Sequence, residues 1–157
     1  TIDLTGRRCA CGNYGCLEAY ASGPNIAARA REGLEAGYDS LLVKLVEGEL
    51  DRITAITVYD ALLQGDDYAH EVMLETAKIL GAGIANLVNT FNPEVVVIVG
   101  GVTRSGEHLF GPLRSEVRRR AFESAVEACR IVPGELLEKA GVIGAAGVFI
   151  AKSDLAE

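Results

Sequence analysis

The fold of this chain is decided by residues 9–18, which read CACGNYGCLE. The three cysteines in this stretch follow the spacing C-x-C-x₄-C, with two glycines between them. Because glycine adopts backbone angles that a Cβ atom forbids, the loop can curl until the sulfurs of Cys9, Cys11 and Cys16 converge. Thiolates at about 2.3 Å suit Zn²⁺, which takes four ligands in a structural site. We therefore predict that these cysteines bind a structural zinc ion, with a fourth ligand from elsewhere.

Two other interpretations of the cysteines remain open. They can be ordinary residues of a surface loop, although packing explains neither their close spacing nor the two glycines. They can also form a disulfide, but Cys9 and Cys11 lie too close in sequence to bridge comfortably, and one thiol is left over. The sequence shows no signal peptide, so we expect a cytoplasmic protein with reduced thiols, which favours metal binding.

Glu18 lies two residues beyond the last cysteine, where a helix is expected to begin. A metal bound in the preceding loop would fix the position of its carboxylate. The alternative is a carboxylate that only favours a helix amino terminus, an interaction of roughly 0.3–1 kcal/mol.

A second candidate site is the turn Gly100-Gly101-Val102. It follows residues 94–99, whose β-branched run predicts a buried, parallel central strand. A glycine pair at the carboxyl end of such a strand lets a ligand approach the backbone without obstruction by side chains. Any tight turn from strand to helix would give the same pattern, so the motif is weak by itself.

Helical periodicity dominates the rest of the chain. Apolar residues recur at three- and four-residue steps from about Asp67 to Asn92, which predicts one long helix. Glycine costs about 1 kcal/mol relative to alanine inside a helix, so Gly81 and Gly83 predict that another backbone approaches closely there. The other predicted elements before residue 100 are a strand at residues 1–4, helices over 17–37 with a break at 22–24, a helix near 41–48, and a helix after Thr54. After Gly101 we predict a helix with Phe122 on its apolar face, a strand at 129–132, and a tightly packed helix over 142–152.

Composition narrows the classes of function. A chain of 157 residues, 49% of them hydrophobic, can form one globular domain with a substantial core. The formal net charge of −7 argues against nucleic-acid binding by this segment. The sequence contains no apolar run of about 18 residues, so we expect no membrane-spanning helix.

The motif CACGNYGCLEAYASG at residues 9–23 resembles the signature of the ROK family, which contains bacterial sugar kinases and sugar-responsive repressors. The family pattern is C-x-C-G-x-x-G-C-x-E followed by a serine at the next turn, and every fixed position is present from Cys9 to Ser22. The resemblance continues to about Lys152. It implies an α/β fold, namely the carboxy-terminal lobe of an actin/hexokinase-like (ribonuclease H-like) ATPase, in which helices pack on a sheet.

The resemblance also implies roles for the candidate residues. Glu18 matches the glutamate that hydrogen-bonds sugar hydroxyls in the family, and Gly100, Gly101 and Val102 match the turn that contacts the adenosine of ATP. The zinc at Cys9, Cys11 and Cys16 would be structural, without redox or Lewis-acid chemistry. A hexose and ATP with Mg²⁺ are then the expected ligands, in a homodimer or homotetramer.

On the same resemblance, residues 1–157 form a single domain and the amino-terminal lobe lies outside this sequence. The chain opens on Thr1 rather than methionine, which is what a fragment would do. The histidine that completes the zinc site in the family, the catalytic aspartate and the phosphate-binding loop would all precede Thr1. We therefore assign no catalytic residue to this chain and expect the fragment alone to be inactive.

Three functions are compatible with the sequence. The first is a glucokinase-like sugar kinase, which the intact Glu18 and Gly100-Gly101 turn favour. The second is the sugar-binding effector region of a ROK transcriptional repressor, and the third is a zinc-stabilised interaction module without a ligand. The sugar remains open among glucose, mannose, fructose and N-acetylated sugars.

Overall fold

The computed structural model describes residues 1–136 and 139–152. Two short 3₁₀ turns, Leu50–Arg52 and Gly101–Ser105, interrupt the helices and strands. In chain order the helices and strands are α1 (Glu18–Ala21), α2 (Gly23–Glu35), α3 (Leu42–Leu45), α4 (Ala55–Leu63), α5 (Asp67–Phe91), β1 (Val95–Ile98), α6 (Glu107–Arg120), α7 (Glu123–Ala128), β2 (Arg130–Pro133) and α8 (Ala140–Lys152).

The helix boundaries follow the sequence signals closely. Ser22 adopts extended backbone angles between α1 and α2, and Pro24 lies in the first turn of α2, so the predicted break is confirmed. Thr54 caps α4 through reciprocal hydrogen bonds with Thr57. The predicted long helix is confirmed as α5, which ends where Asn92 takes a left-handed conformation.

Helix α5 carries the two hydrophobic clusters of the described core. Val72 and Met73 on its first half pack among side chains from α2, α3 and α4. Ile84 and Val88 on its second half pack among side chains from α6, α7 and β2. One long helix therefore joins the part of the fold that follows the cysteine loop to the part that carries the sheet.

The glycines in the middle of α5 mark close contacts, as predicted. A Cβ atom at Gly81 would lie 2.8 Å from the backbone oxygen of Leu113 on α6. A Cβ atom at Gly83 would lie 2.9 Å from a methyl carbon of Leu17, the residue before Glu18. The absence of side chains at these two positions thus lets α6 and the start of α1 approach α5.

The sheet has two parallel strands in the described part of the chain, with Val95 opposite Arg130 and Ile98 opposite Pro133. Alternate residues of β1 face the core, whereas Val95 and Val97 on the other face are 41% and 54% exposed. The strand and its parallel pairing were correctly predicted. Burial on both faces was wrong for the described residues, because they cover only one face of β1.

Three further expectations are corrected. Residues 1–4 form no strand: Leu4 lies in a turn, and the segment lies against the cysteine loop, where the Ile2 N–H donates to Gly15 O at 2.7 Å. Phe122, expected on one face of α6, lies beyond the end of that helix and is 70% exposed. Helix α8, expected to pack tightly, has no buried side chain among residues 139–152.

In the portions of the chain that are described, none of the helices has the length and apolar character needed to cross a membrane.

The close approach at Gly81 predicts a difference between two alanine substitutions in the same helix. Both Gly81→Ala and Gly83→Ala gain helix propensity. Only Gly81→Ala forces a Cβ atom against a backbone oxygen, whereas the Cβ atom of Gly83→Ala meets the side chain of Leu17, which can move. We expect Gly81→Ala to have a free energy of unfolding about 1–3 kcal/mol below that of Gly83→Ala. Urea denaturation of both variants measures this difference, and equal stabilities would contradict the packing described here.

Candidate metal loop and ligand cleft

The cysteine loop is closed by backbone hydrogen bonds. The Cys9 N–H donates to Asn13 O at 2.8 Å, and the Gly12 N–H donates back to Cys9 O at 3.0 Å. Gly12 and Gly15 have φ angles of +91° and +63°, which residues with a side chain rarely adopt. The two glycines that sequence reasoning singled out therefore produce the predicted curl.

The curl brings the three sulfur atoms together. The Sγ atoms of Cys9, Cys11 and Cys16 all lie within 4.8 Å of one another, and those of Cys11 and Cys16 are 3.6 Å apart. Thiolates at about 2.3 Å from a tetrahedral zinc ion are separated by about 3.8 Å, so the cluster fits this ion. Within residues 1–136 and 139–152, no fourth histidine, cysteine or carboxylate joins the group.

The local environment separates the proton affinities of the thiols. A hydrogen bond from the Asn13 backbone N–H lowers the pKa of Cys11, and the neighbouring thiols lower it further. The hydrogen bond between the two thiols raises the pKa of Cys16 to about 11. Because a metal binds thiolates, binding at this cluster must release the proton that the raised pKa keeps on Cys16 near neutral pH.

Side chains from the amino-terminal segment and from α2 hold the loop in place. The Tyr20 hydroxyl on α1 accepts a hydrogen bond from the Arg7 N–H at 2.8 Å and donates to Asp3 Oδ2 at 3.0 Å. The Arg7 guanidinium in turn pairs with the Glu32 carboxylate on α2 at 2.5 and 2.7 Å. These contacts attach the loop to both helices that follow it.

Glu18 is the first residue of α1, immediately after the loop. Its backbone oxygen accepts hydrogen bonds from the Ser22 N–H at 3.2 Å and from Asn25 Nδ2 at 3.0 Å. Its side chain is exposed, and the residues described here provide the carboxylate with no hydrogen-bond or ion-pair partner. The backbone of Glu18 is thus fixed while its carboxylate remains available to a ligand.

Gly100, Gly101 and Val102 line a cleft of about 810 Å³. Its other walls come from the end of α1, from α2 as far as Arg31, from residues 51–60, from Met73 on α5, and from the rest of the turn that ends at Ser105. The volume is within the range of small-molecule sites, and the lining is mostly apolar with a few polar side chains. Gly100 has a φ of +105°, so the turn at the end of β1 needs glycine for its backbone conformation.

Helix α1 lies between the two predicted sites, Glu18 with the cysteine loop on one side and the Gly100-Gly101-Val102 turn on the other. Glu18 and the cysteines do not line the cleft, but Ala21, the last residue of α1, does. Sequence reasoning missed most of the cleft wall, because it interpreted residues 22–24 only as a break between two helices and Tyr59 only as part of a helix. No periodicity signals such a wall, since its residues come from four separate segments of the chain.

The sulfur cluster predicts a metal content for the full-length protein. Purified under reducing conditions, it should contain about one zinc ion per chain, and Cys11→Ser should lose most of it. Cys129→Ser is the matched control, because Cys129 lies next to β2, outside the cluster, and its replacement should leave the zinc in place. Metal analysis of the three proteins gives the answer; a full-length protein without zinc would remove the metal interpretation.

Comparisons with known proteins agree with this architecture. The sequence profile described as ROK family matches residues 1–152. The glucokinase of Thermotoga maritima is 39% identical over 148 residues, which are 94% of this chain and 46% of that protein. The xylose repressor of Caldicellulosiruptor bescii is 31% identical over 150 residues, which are 96% of this chain and 37% of that protein. The chain therefore spans less than half the length of these two relatives.

Among solved structures, the chain is similar to a ROK family glucokinase from Streptomyces griseus, crystallised in complex with glucose and AMPPNP. The TM-score is 0.79 at 33% sequence identity, with 92% of this chain and 47% of that chain covered. The small parallel sheet with packed helices is thus the α/β architecture of sugar kinases with the actin/hexokinase-like fold. On the profile match and the shared fold together, the chain belongs to the ROK family.

Proposed function

We propose that the protein containing this chain phosphorylates a hexose with ATP, and that glucose is its preferred substrate. The observation that carries the proposal is the connection between the two candidate sites. Helix α1 begins at Glu18 and ends at Ala21 in the wall of the cleft, so one short helix links the proposed sugar ligand to the proposed nucleotide site. The similarity to glucokinases over most of the chain supports this assignment.

In this proposal the cleft holds the adenosine part of ATP. Gly100, Gly101 and Val102 present backbone rather than bulky side chains at the end of β1, so a planar base and a ribose can approach closely. The apolar lining excludes water from the base. Mg²⁺ bound with ATP would offset the charge of the phosphates, which is the main requirement of phosphoryl transfer.

Glu18 is proposed to accept hydrogen bonds from sugar hydroxyls. A bond between a hydroxyl and an ionised carboxylate contributes roughly 1.5–3 kcal/mol, enough to orient the sugar. Zinc at Cys9, Cys11 and Cys16 would hold the loop before α1 and take no part in the chemistry. We assign binding and orientation to this chain, as a carboxy-terminal lobe, and no catalytic residue. The use of ATP and of reduced thiolates is consistent with a cytoplasmic protein. The homodimer or homotetramer that the family resemblance implies stays a prediction.

The second candidate is the sugar-binding effector region of a transcriptional repressor. The similarity to a xylose repressor over 96% of the chain favours this candidate. The sequence identity to that repressor is 31%, however, which is lower than the 39% identity to the glucokinase. The acidic net charge of −7 would place any contact with DNA outside this segment. Incubating the full-length protein with glucose and ATP distinguishes the candidates: a kinase forms hexose phosphate, whereas a repressor binds sugar without consuming ATP.

The nucleotide assignment predicts that Gly101→Val raises the KM for ATP at least tenfold, because added bulk blocks close approach to the backbone, while the KM for sugar changes less than about twofold. Gly37→Ala is the control: it strains a left-handed position (φ +99°) after α2, outside the cleft, and should lower stability without changing either KM. If a folded Gly101→Val enzyme keeps its KM for ATP, the glycines serve only as a turn.

The sugar assignment predicts that Glu18→Gln lowers kcat/KM for the sugar about ten- to a hundredfold, because the variant loses the charge on the acceptor. Glu35→Gln, an exposed carboxylate at the end of α2, should behave like the wild type. Steady-state kinetics and zinc content are measured on both variants. Normal sugar kinetics in Glu18→Gln with zinc retained would count against the role of Glu18.

A further inference from the structure

Arg29 on α2 is a buried cation to which the proposed function gives no role. The residue is only 8% exposed, and its guanidinium is surrounded by acceptors. Nη1 donates to Tyr20 O at 3.1 Å and to Thr76 Oγ1 at 2.9 Å, while Nη2 contacts the Glu75 carboxylate on α5. Burying a charge is costly unless it is paired and hydrogen-bonded, and here both conditions are met.

The contact with Tyr20 O matters because Tyr20 belongs to α1. The last carbonyl groups of a helix have no partner within it, and α1 has only four residues, so its carbonyls need partners from outside. Arg29 supplies one for Tyr20 O, and Asn25 Nδ2 adds a second donor, at 3.0 Å, to Glu18 O, which also accepts from the Ser22 N–H. Both donors lie on α2.

Packing alone does little to orient α1. Ala19 is its only buried residue, and its side chain is a single methyl group. Arg29, by contrast, is held on the α5 side, where the Thr76 hydroxyl that it contacts is itself fixed by donating to Val72 O at 2.8 Å. A chain of directed hydrogen bonds therefore runs from α5 through Arg29 to the backbone of α1.

A buried apolar side chain of similar volume often stabilises a fold as well as a buried ion pair does. What a guanidinium adds is direction, because its donors form a planar fork with fixed geometry. The network around Arg29 uses that geometry to connect the long helix with the four residues that carry Glu18.

We propose that Arg29 is a positioning residue that fixes the orientation of α1, and through it the Glu18 carboxylate, for sugar binding. The inference rests on the proposed function, because it takes Glu18 as the sugar ligand. Arg29 itself does not line the cleft, and the residues proposed to hold adenosine come from the turn after β1 rather than from α1. We therefore expect nucleotide affinity to change much less than sugar affinity when Arg29 is replaced.

The test compares Arg29→Met and Arg29→Lys with the wild type in the full-length protein. The sugar is glucose; if the wild type does not phosphorylate glucose, it is the best substrate among mannose, fructose and N-acetylglucosamine. We expect Arg29→Met to raise the KM for sugar about tenfold, since small misplacements of a binding group are costly, while the KM for ATP stays within about twofold and zinc is retained. Arg29→Lys should recover part of the affinity, because an ammonium group can still donate to Tyr20 O. Sugar affinity measured by calorimetry replaces the KM if no phosphorylation occurs.

Arg114→Met is the matched control. Arg114 also donates to a backbone oxygen, that of Ile131 at 3.0 and 3.2 Å, and pairs with Glu107, but it lies on α6 and has no contact with α1. Its replacement should lower the melting temperature as Arg29→Met does, and should leave the sugar KM unchanged. An equal rise in sugar KM for both variants would mean that loss of stability alone explains the effect, and would overturn the proposal.

A double-mutant cycle with Glu18→Gln separates this inference from the function on which it rests. If Arg29 acts through Glu18, Arg29→Met should raise the sugar KM much less in the Glu18→Gln background. Two outcomes would overturn the positioning role of Arg29 alone. In the first, Arg29→Met raises the sugar KM equally with Glu18 and with Gln at position 18. In the second, Arg29→Met has a normal sugar KM although Glu18→Gln lowers kcat/KM for the sugar. A normal sugar KM for Glu18→Gln would overturn the role of Glu18 and this inference with it. If Arg29→Met does not fold, the same cycle is run with Arg29→Lys.

Discussion

The cysteine cluster and the start of α1 depend on one close contact of the backbone at Gly15. A Cβ atom there would lie 1.5 Å from Asp3 O, so any side chain at this position would displace the amino-terminal segment. With glycine in place, Ile2 N–H reaches Gly15 O and Gly15 N–H reaches Arg7 O. The loop closes, its three sulfurs converge, and α1 starts at a defined point.

From that point, successive contacts fix the position of α1 relative to α5 and to the cleft. Leu17 packs on Gly83 of α5, Glu18 opens α1, and Ser22 ends it in the wall of the cleft. Arg29 adds a connection from α5 to α1 that does not pass through the loop. A four-residue helix without a core of its own is thereby held from both sides.

Sequence patterns predicted those features that depend on local chemistry. The cysteine spacing predicted the sulfur cluster, the break at Ser22 and Pro24 separated α1 from α2, and the small residues of α5 marked its contact with α6. These succeed because glycine, proline and cysteine impose conformations or contacts within a few residues.

The features that failed or were missed depend on parts of the chain that are distant in sequence. The apolar runs of β1 and α8 indicate surfaces that pack, but a run does not say what covers it. The described residues leave one face of β1 and the large apolar side chains of α8 exposed. The cleft is assembled from four segments with no common motif. Arg29 and Arg31 look alike in the sequence, yet one is buried against α5 while the other pairs with Asp51 at the surface. Only the fold separates them.

Closure of the cysteine loop is proposed to fix α1 for sugar binding, and affinity measurements on metal-free protein test this role most directly. Zinc is removed from the full-length protein with a chelator under reducing conditions, and the Kd values for glucose and for a non-hydrolysable ATP analogue are measured by calorimetry before and after. We expect glucose affinity to fall at least tenfold on metal removal and to return when zinc is restored, while nucleotide affinity stays within about twofold. Unchanged glucose affinity in a protein verified to be metal-free would contradict it.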